Sequence, residues 1–213
     1  MTTEMSPSPS PPRWIILPLM VVVFATLMLT ACSRKVIIPN GTIVFLGDSI
    51  TSGYGLDPNQ AYPALIDING MTPVNLGVSG SKTDDGLQRL QDYFSANPKP
   101  QLVVIALGAN DLLQGVDPGN IQTNLASIIR ECKSRNIPVM ICGIRIPFKL
   151  GTDAIFQKVA GDAHVPLLPD LMQGEATQSS MLQDDGMHPN VAGQKLIAQK
   201  MQAALLDSFS FDR

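Results

Sequence analysis

Five short apolar runs recur along the chain, at Ile43 to Leu46, Pro73 to Leu76, Leu102 to Leu107, Val139 to Ile144 and Val165 to Leu168. They are too continuous for half-exposed strands and too short for helices, so they predict strands buried on both faces. The segments between them carry helical spacing with recognisable ends. Thr83 followed by Asp84 and Asp85 marks a helix start, Leu87, Leu90 and Phe94 share a face, and Asn97-Pro98 stops it. Asp117-Pro118 opens the next helix, whose buried stripe is Ile121, Leu125, Ile128, Ile129 and Cys132, and Ile137-Pro138 closes it. Asn190 caps a last helix carrying Leu196, Ile197, Met201 and Leu205. Alternating strand and helix implies right-handed crossovers. The predicted fold class is therefore α/β: a three-layer α/β/α sandwich around a five-stranded parallel sheet.

The first 32 residues follow a different pattern. Met1 to Pro12 is polar and proline-rich, Trp14 to Leu29 is apolar except for Pro18 and Thr26, and Leu29-Thr30-Ala31-Cys32 closes the segment. This resembles a bacterial lipoprotein signal with its lipobox. The resemblance implies cleavage before Cys32, a lipid on that thiol and export from the cytoplasm. The chain then divides into a signal peptide over 1–31, a lipidated cysteine and linker over 32–40, and a catalytic domain over 41–213. An uncleaved anchor is the alternative, although about 16 apolar residues is slightly short for a membrane span. Either arrangement places the domain outside the cytoplasm. Ser33 stands where related lipoproteins retained in the inner membrane carry aspartate, which favours the periplasmic side of the outer membrane.

Composition narrows the function further. With 213 residues, 45% of them hydrophobic, and a net charge of -3, the chain suits one globular domain. Its 15 Lys and Arg are scattered, with no basic run longer than Arg34-Lys35, so no nucleic-acid partner is expected. Two histidines far apart, without a cysteine or carboxylate cluster at ligand spacing, imply no metal. No cofactor is expected either. Cys132 and Cys142 remain once Cys32 is assigned to a lipid; a disulfide between them is the alternative in an exported protein, but they read as buried free thiols.

In open parallel sheets the binding crevice lies beyond the carboxyl ends of the strands. Ser49, Ser79-Gly80 and Asn110 each directly follow an apolar run. A serine hydroxyl needs a base to remove its proton, and the base needs a partner to hold its tautomer. His188, in Asp185-Gly186-Met187-His188-Pro189, has a carboxylate three residues away in a turn-forming loop, whereas His164 falls between a helix end and a buried strand and reads as a surface residue. Asp185 suits a shared turn with His188 better than its neighbour Asp184 does. Candidate oxyanion donors are the backbone amides of Ser49 and Gly80 and the side-chain amide of Asn110. Gly80 could instead serve only a turn, and Asn110 with Asp111 could cap local backbone.

The ordered set GDSIT, NLGVSGS, GAND and DDGMHPN resembles the SGNH (GDSL) hydrolase superfamily, in particular its single-domain bacterial thioesterase I, lysophospholipase and arylesterase members. The resemblance runs from about Thr42 to the last helix and implies a flavodoxin-like sheet. It also implies catalytic Ser49, Asp185 and His188 and an oxyanion hole of Ser49, Gly80 and Asn110. Two positions depart from the pattern: Ala109 stands where a second glycine is commoner, and the segment from Pro147 to Val165 is short. The nucleophile elbow of α/β-hydrolases is excluded because Thr51, not glycine, lies two residues after the serine.

Leu112-Leu113, Ile146-Pro147-Phe148, Met181-Leu182 and Met187 flank these motifs and would suit an acyl chain or aryl ring, or else only pack loops onto the domain, with Tyr54 and Arg145 available to a polar head. The expected protein is a lipid-anchored serine esterase hydrolysing carboxylic esters of medium or long acyl chains, with lysophospholipids, thioesters and aryl esters as candidate substrates. A carbohydrate O-acetylesterase and a non-catalytic envelope lipoprotein are the alternatives.

Overall fold

The computed structural model describes residues 35–97, 99–145, 151–174 and 178–212. The strands are β1 (Val36–Ile38), β2 (Gly41–Gly47), β3 (Met71–Gly77), β4 (Leu102–Ala106), β5 (Val139–Cys142), β6 (Leu167–Leu168) and β7 (Phe209–Phe211). The helices are α1 (Ser49–Ser52), α2 (Thr83–Ala96), α3 (Ala109–Leu113), α4 (Pro118–Ser134), α5 (Thr152–Ala163) and α6 (Val191–Ser208). Short 3₁₀ turns occur at Pro58–Gln60, Tyr62–Leu65 and Ser179–Met181.

The main sheet is parallel throughout, in the order β3-β2-β4-β5-β6. Counting these five strands along the chain gives 2-1-3-4-5, the flavodoxin-like order. Residues of β2 alternate between two cores. Val44 and Leu46 join Val103, Ile105 and Ile141 against α2, α4 and α5, represented by Leu90, Leu125 and Phe156. Ile43 and Phe45 face the other way, with Val104, Met140 and Cys142, against Tyr62 and against Ile197, Met201 and Leu205 of α6. Burial on both faces explains why the central strands read as unbroken apolar runs.

Expected and observed elements differ in four places. β3 is half-buried along its length, because it is an edge strand with β2 as its sheet neighbour. β6 at the other edge shrinks to two half-buried residues. The runs at 102–107 and 139–144 leave the sheet early, and Leu107 and Ile144 pack into the core as loop residues. Finally, the expected linker contains β1, which pairs in parallel with β7 through Val36 with Phe209, Ile37 with Ser210 and Ile38 with Phe211. Ile38 is fully buried beneath α6, so a tertiary contact rather than a local pattern makes this strand. The expected signal peptide and Cys32 lie outside the described residues, as do Ile146, Pro147 and Phe148.

Helix ends follow the caps. Asp117 accepts from the amides of Gly119 and Asn120, and Asn190 from those of Ala192 and Gly193. At the start of α2, Asp85 accepts from the amide of Lys82, while the buried Asp111 accepts from the amide and hydroxyl of Thr83. The chain passes from β2 to β3 on one side and then returns to β4 on the other. The crevice beyond the carboxyl ends of β2 and β4 is therefore the topological switch point.

Candidate active site

Ser49 begins α1 directly after β2. Asp48 Oδ1 accepts from the amide of Ile50 at 3.0 Å, closing the turn that directs the chain from strand into helix. The turn needs room beside it: a Cβ on Gly77, in the neighbouring β3, would lie 2.3 Å from the amide nitrogen of Ser52. From the other layer, Gln194 of α6 donates to the carbonyl of Ile50 and accepts from the amide of Tyr62, fastening the turn from beneath.

His188 reaches the same point from a loop near the end of the chain. Its Nε2 lies 3.0 Å from Ser49 Oγ and its Nδ1 lies 2.6 Å from Asp185 Oδ2. The other oxygen of Asp185 accepts from the amides of Met187 and His188, both at 2.9 Å, so the carboxylate shapes the loop that presents the imidazole. Those bonds, the His188 amide first, hold the Asp185 carboxyl down at about 2. It remains a carboxylate throughout the working range of an esterase. Asp184 is exposed beside it, and His164 is exposed in left-handed backbone at the end of α5.

Two neighbours of His188 carried little signal in the sequence. Gln183 donates from Nε2 to the carbonyls of Tyr54 and Pro189, at 2.7 and 3.0 Å, while its own amide donates to the carbonyl of His188. The Tyr54 ring lies 4.5 Å from the imidazole, tilted by 38°. Tyr54 thus flanks the histidine. The contacts of Tyr54 with Gln183 and His188 join residues more than a hundred positions apart, and no local periodicity announces them.

Asn110 lies in α3, just beyond β4, and donates from Nδ2 to the carbonyl of Ser81 at 2.9 Å. Gly80 precedes Ser81 on the loop after β3 and has φ +78°, a left-handed conformation that favours glycine. Ser49, His188 and Asn110 line one cleft of about 300 Å³. Gly80 is not part of that lining and joins the site through the loop it shares with Ser81. The cleft wall is apolar, with Leu113, Ile144, Leu171, Met172, Leu182 and Met187, and Arg145 stands at its edge. Leu112, expected at the rim, is buried in the core instead.

Asp48 also meets the cleft, although it is only 2% exposed. Burial pushes its carboxyl up to about 6, against the opposing pull of the Ile50 amide, and its Oδ2 has no hydrogen-bond partner among the described residues. Among the described residues, no group of three or more His, Cys, Asp or Glu side chains could hold a metal ion.

A hydroxyl bonded to one imidazole nitrogen, with a carboxylate on the other, can lose its proton as it attacks a carbonyl. Comparison with known proteins leads to the same chemistry. Residues 45–196 match the GDSL-like Lipase/Acylhydrolase family. The chain is 34% identical over 173 residues to the "Thioesterase 1/protease 1/lysophospholipase L1" of Escherichia coli strain K12, covering 77% of this chain and 83% of that protein. It is 31% identical over 195 residues to "Esterase TesA" of Pseudomonas aeruginosa, covering 84% and 96%. Among solved structures, TesA superposes with a TM-score of 0.72 at 32% identity, over 79% of this chain and 99% of that one. The psychrotrophic esterase EstA from Pseudoalteromonas sp., inhibited by monoethylphosphonate, gives 0.73 at 28% identity, over 78% and 97%. The matched span contains the serine, asparagine, aspartate and histidine just described, and the chain belongs to the GDSL-like lipase/acylhydrolase family, the SGNH hydrolases, as a serine esterase.

Proposed function

We propose that Ser49 is the nucleophile, His188 the general base and acid, and Asp185 its partner, in hydrolysis of small carboxylic esters or thioesters through an acyl-enzyme. The observation that carries the reading is the continuous chain from Ser49 Oγ through His188 to Asp185, at 3.0 and 2.6 Å, opening into an apolar cleft. As Ser49 Oγ attacks the ester carbonyl, His188 Nε2 takes its proton. The same nitrogen then returns that proton to the departing alcohol or thiol. Water, deprotonated by His188 in turn, releases the acid and restores the serine. The carboxylate of Asp185 keeps Nδ1 protonated and opposes the positive charge that forms on the ring. The amides of Ser49 and Gly80 and the side chain of Asn110 are assigned to the oxyanion.

The cleft, about 300 Å³ and walled by leucine, isoleucine and methionine, sits at the small end of ligand sites and suits an acyl chain or an aryl ring. Among the described residues lining it there is no Phe, Tyr or Trp, and its aliphatic and methionine side chains favour an acyl ester over an acetylated carbohydrate as substrate. The lipobox supports a second element of the proposal: lipid attachment at Cys32 and tethering in the cell envelope, on the periplasmic side of the outer membrane.

Turnover of a panel of acyl esters, acyl thioesters, lysophospholipids and acetylated sugars tests the substrate class. Ser49→Ala is expected to abolish fluorophosphonate labelling and lower kcat by several orders of magnitude, leaving roughly 10³-fold residual catalysis over water. Normal turnover in that variant overturns the assignment. For the anchor, Cys32→Ser is expected to block incorporation of radiolabelled palmitate and leave the unprocessed precursor. Palmitate at wild-type levels in that variant refutes the lipobox reading.

A further inference from the structure

Arg89, on α2, turns its guanidinium inward and is half-buried behind the reaction centre. One terminal nitrogen, Nη1, donates to Ser81 Oγ at 2.7 Å, and the other, Nη2, donates to the carbonyl of Gly47 at 2.9 Å. These acceptors belong to different segments. Gly47 ends β2, two residues before Ser49. Ser81, only 3% exposed, follows Gly80, and its carbonyl is the acceptor that holds the Asn110 amide. The same loop is closed locally by the amide of Val78 on the carbonyl of Gly47 and the amide of Ser81 on the carbonyl of Val78. One planar side chain therefore bridges the strand leading to the nucleophile and the loop that carries Gly80 and orients Asn110.

We propose that Arg89 is a positioning residue for the oxyanion site, setting the Gly80–Ser81 loop, and through Ser81 the direction of the Asn110 amide, relative to Ser49. This rests on the assignment of Asn110 to the oxyanion. The physical requirement is tight, because donors must be in place before charge develops on the carbonyl oxygen, and a displacement of about 1 Å can reduce turnover by about 10². A two-pronged guanidinium meets it by fixing both acceptors with one rigid plane. Its positive charge also faces the nearby carboxylates of Asp85 and Asp48, which favour it against the burial that opposes it.

Arg89→Lys is the informative variant, because it keeps the charge opposite Asp48 and Asp85 but replaces the fork with a single flexible ammonium. The expected result is a kcat 10- to 100-fold lower with KM within about 2-fold of wild type, and a parallel loss of affinity for a trifluoromethyl ketone, which forms an oxyanion on the serine. Ser81→Ala, which removes one of the two acceptors together with the long bond from the Ser81 hydroxyl to Asp85, is expected to show the same signature at about 3- to 10-fold and keeps the test decisive if Arg89→Lys does not fold. In the Asn110→Ala background, the further loss from Arg89→Lys is expected to shrink to about 3-fold or less. Wild-type kcat in folded Arg89→Lys or Ser81→Ala overturns the proposal, as does an undiminished loss in the Asn110→Ala background. The Asn110→Ala enzyme alone reads the underlying assignment separately. A loss of about 10² to 10³ in kcat upholds that assignment, and normal turnover overturns it together with the role of Arg89.

Discussion

Asn110 and Asp111 are adjacent in one short helix, yet their side chains lead to opposite expectations. Asp111 is 1% exposed, and its carboxylate accepts from the amide of Thr83 at 3.0 Å and from its hydroxyl at 2.5 Å, where Thr83 is itself fully buried at the start of α2. Asp111→Ala removes two bonds to a charged acceptor and strands two buried donors. With about 1.5–3 kcal/mol for each such bond, partly offset by no longer burying the carboxylate, the net loss is about 3–4 kcal/mol. For a protein of this size that corresponds to a fall in Tm of roughly 10 °C. Asn110→Ala breaks a single bond to Ser81, about 1 kcal/mol, and recovers part of it through the better helix propensity of alanine. Its Tm is expected within about 3 °C of wild type. If its amide serves the oxyanion, kcat falls by about 10² to 10³, some 2.7–4 kcal/mol of barrier, with KM little changed. Circular-dichroism melting and steady-state ester hydrolysis on both variants separate the two roles. Asn110→Ala melting far below wild type but turning over normally would refute the reasoning, as would Asp111→Ala keeping its Tm.

Two further outcomes follow from buried groups. The folded Asp48 carboxyl holds its proton between about pH 4 and 6, where the unfolded chain has released it, so the stability contributed through Asp48 falls as pH rises across that window and is level above it. Asp48→Asn, which keeps the acceptor for Ile50, is expected to match wild type near pH 4 and exceed it by up to about 3 kcal/mol at pH 7 in urea denaturation; a pH-independent difference contradicts this. Cys132 and Cys142 are buried and free, and burial raises Cys132 to about 12 and Cys142 higher still. In a Cys32→Ser chain, folded protein at pH 8 is expected to leave an aromatic disulfide reagent unreacted, and denatured protein to release two thiols per chain.

The sequence alone determined the α/β class, the parallel sheet and the positions of α2, α4 and α6, because burial on both faces makes a strand a continuous apolar run and a helix needs an apolar stripe and a cap; α5, with no side-chain cap at its start, was not placed. It also singled out Asp185 over Asp184, since three residues is the span of one side-chain-closed turn. Which strands lie at the edges was not legible: Pro73 to Leu76 reads like a central strand, and only the order of the sheet leaves it half-buried. β1 and β7 were hidden for a related reason, each being three residues long and held by the other and by α6. At the site, residue types in order were enough to name Ser49, Gly80, Asn110 and His188 as candidates. Distances were not. The 3.0 Å between Ser49 and His188 spans 139 positions in the chain, and Arg89, Gln183, Gln194 and Tyr54 acquire their contacts only when separate segments meet. Local propensity acts over a few residues, whereas the direction in which a hydroxyl, an amide or a guanidinium points is decided by packing between elements far apart in the chain.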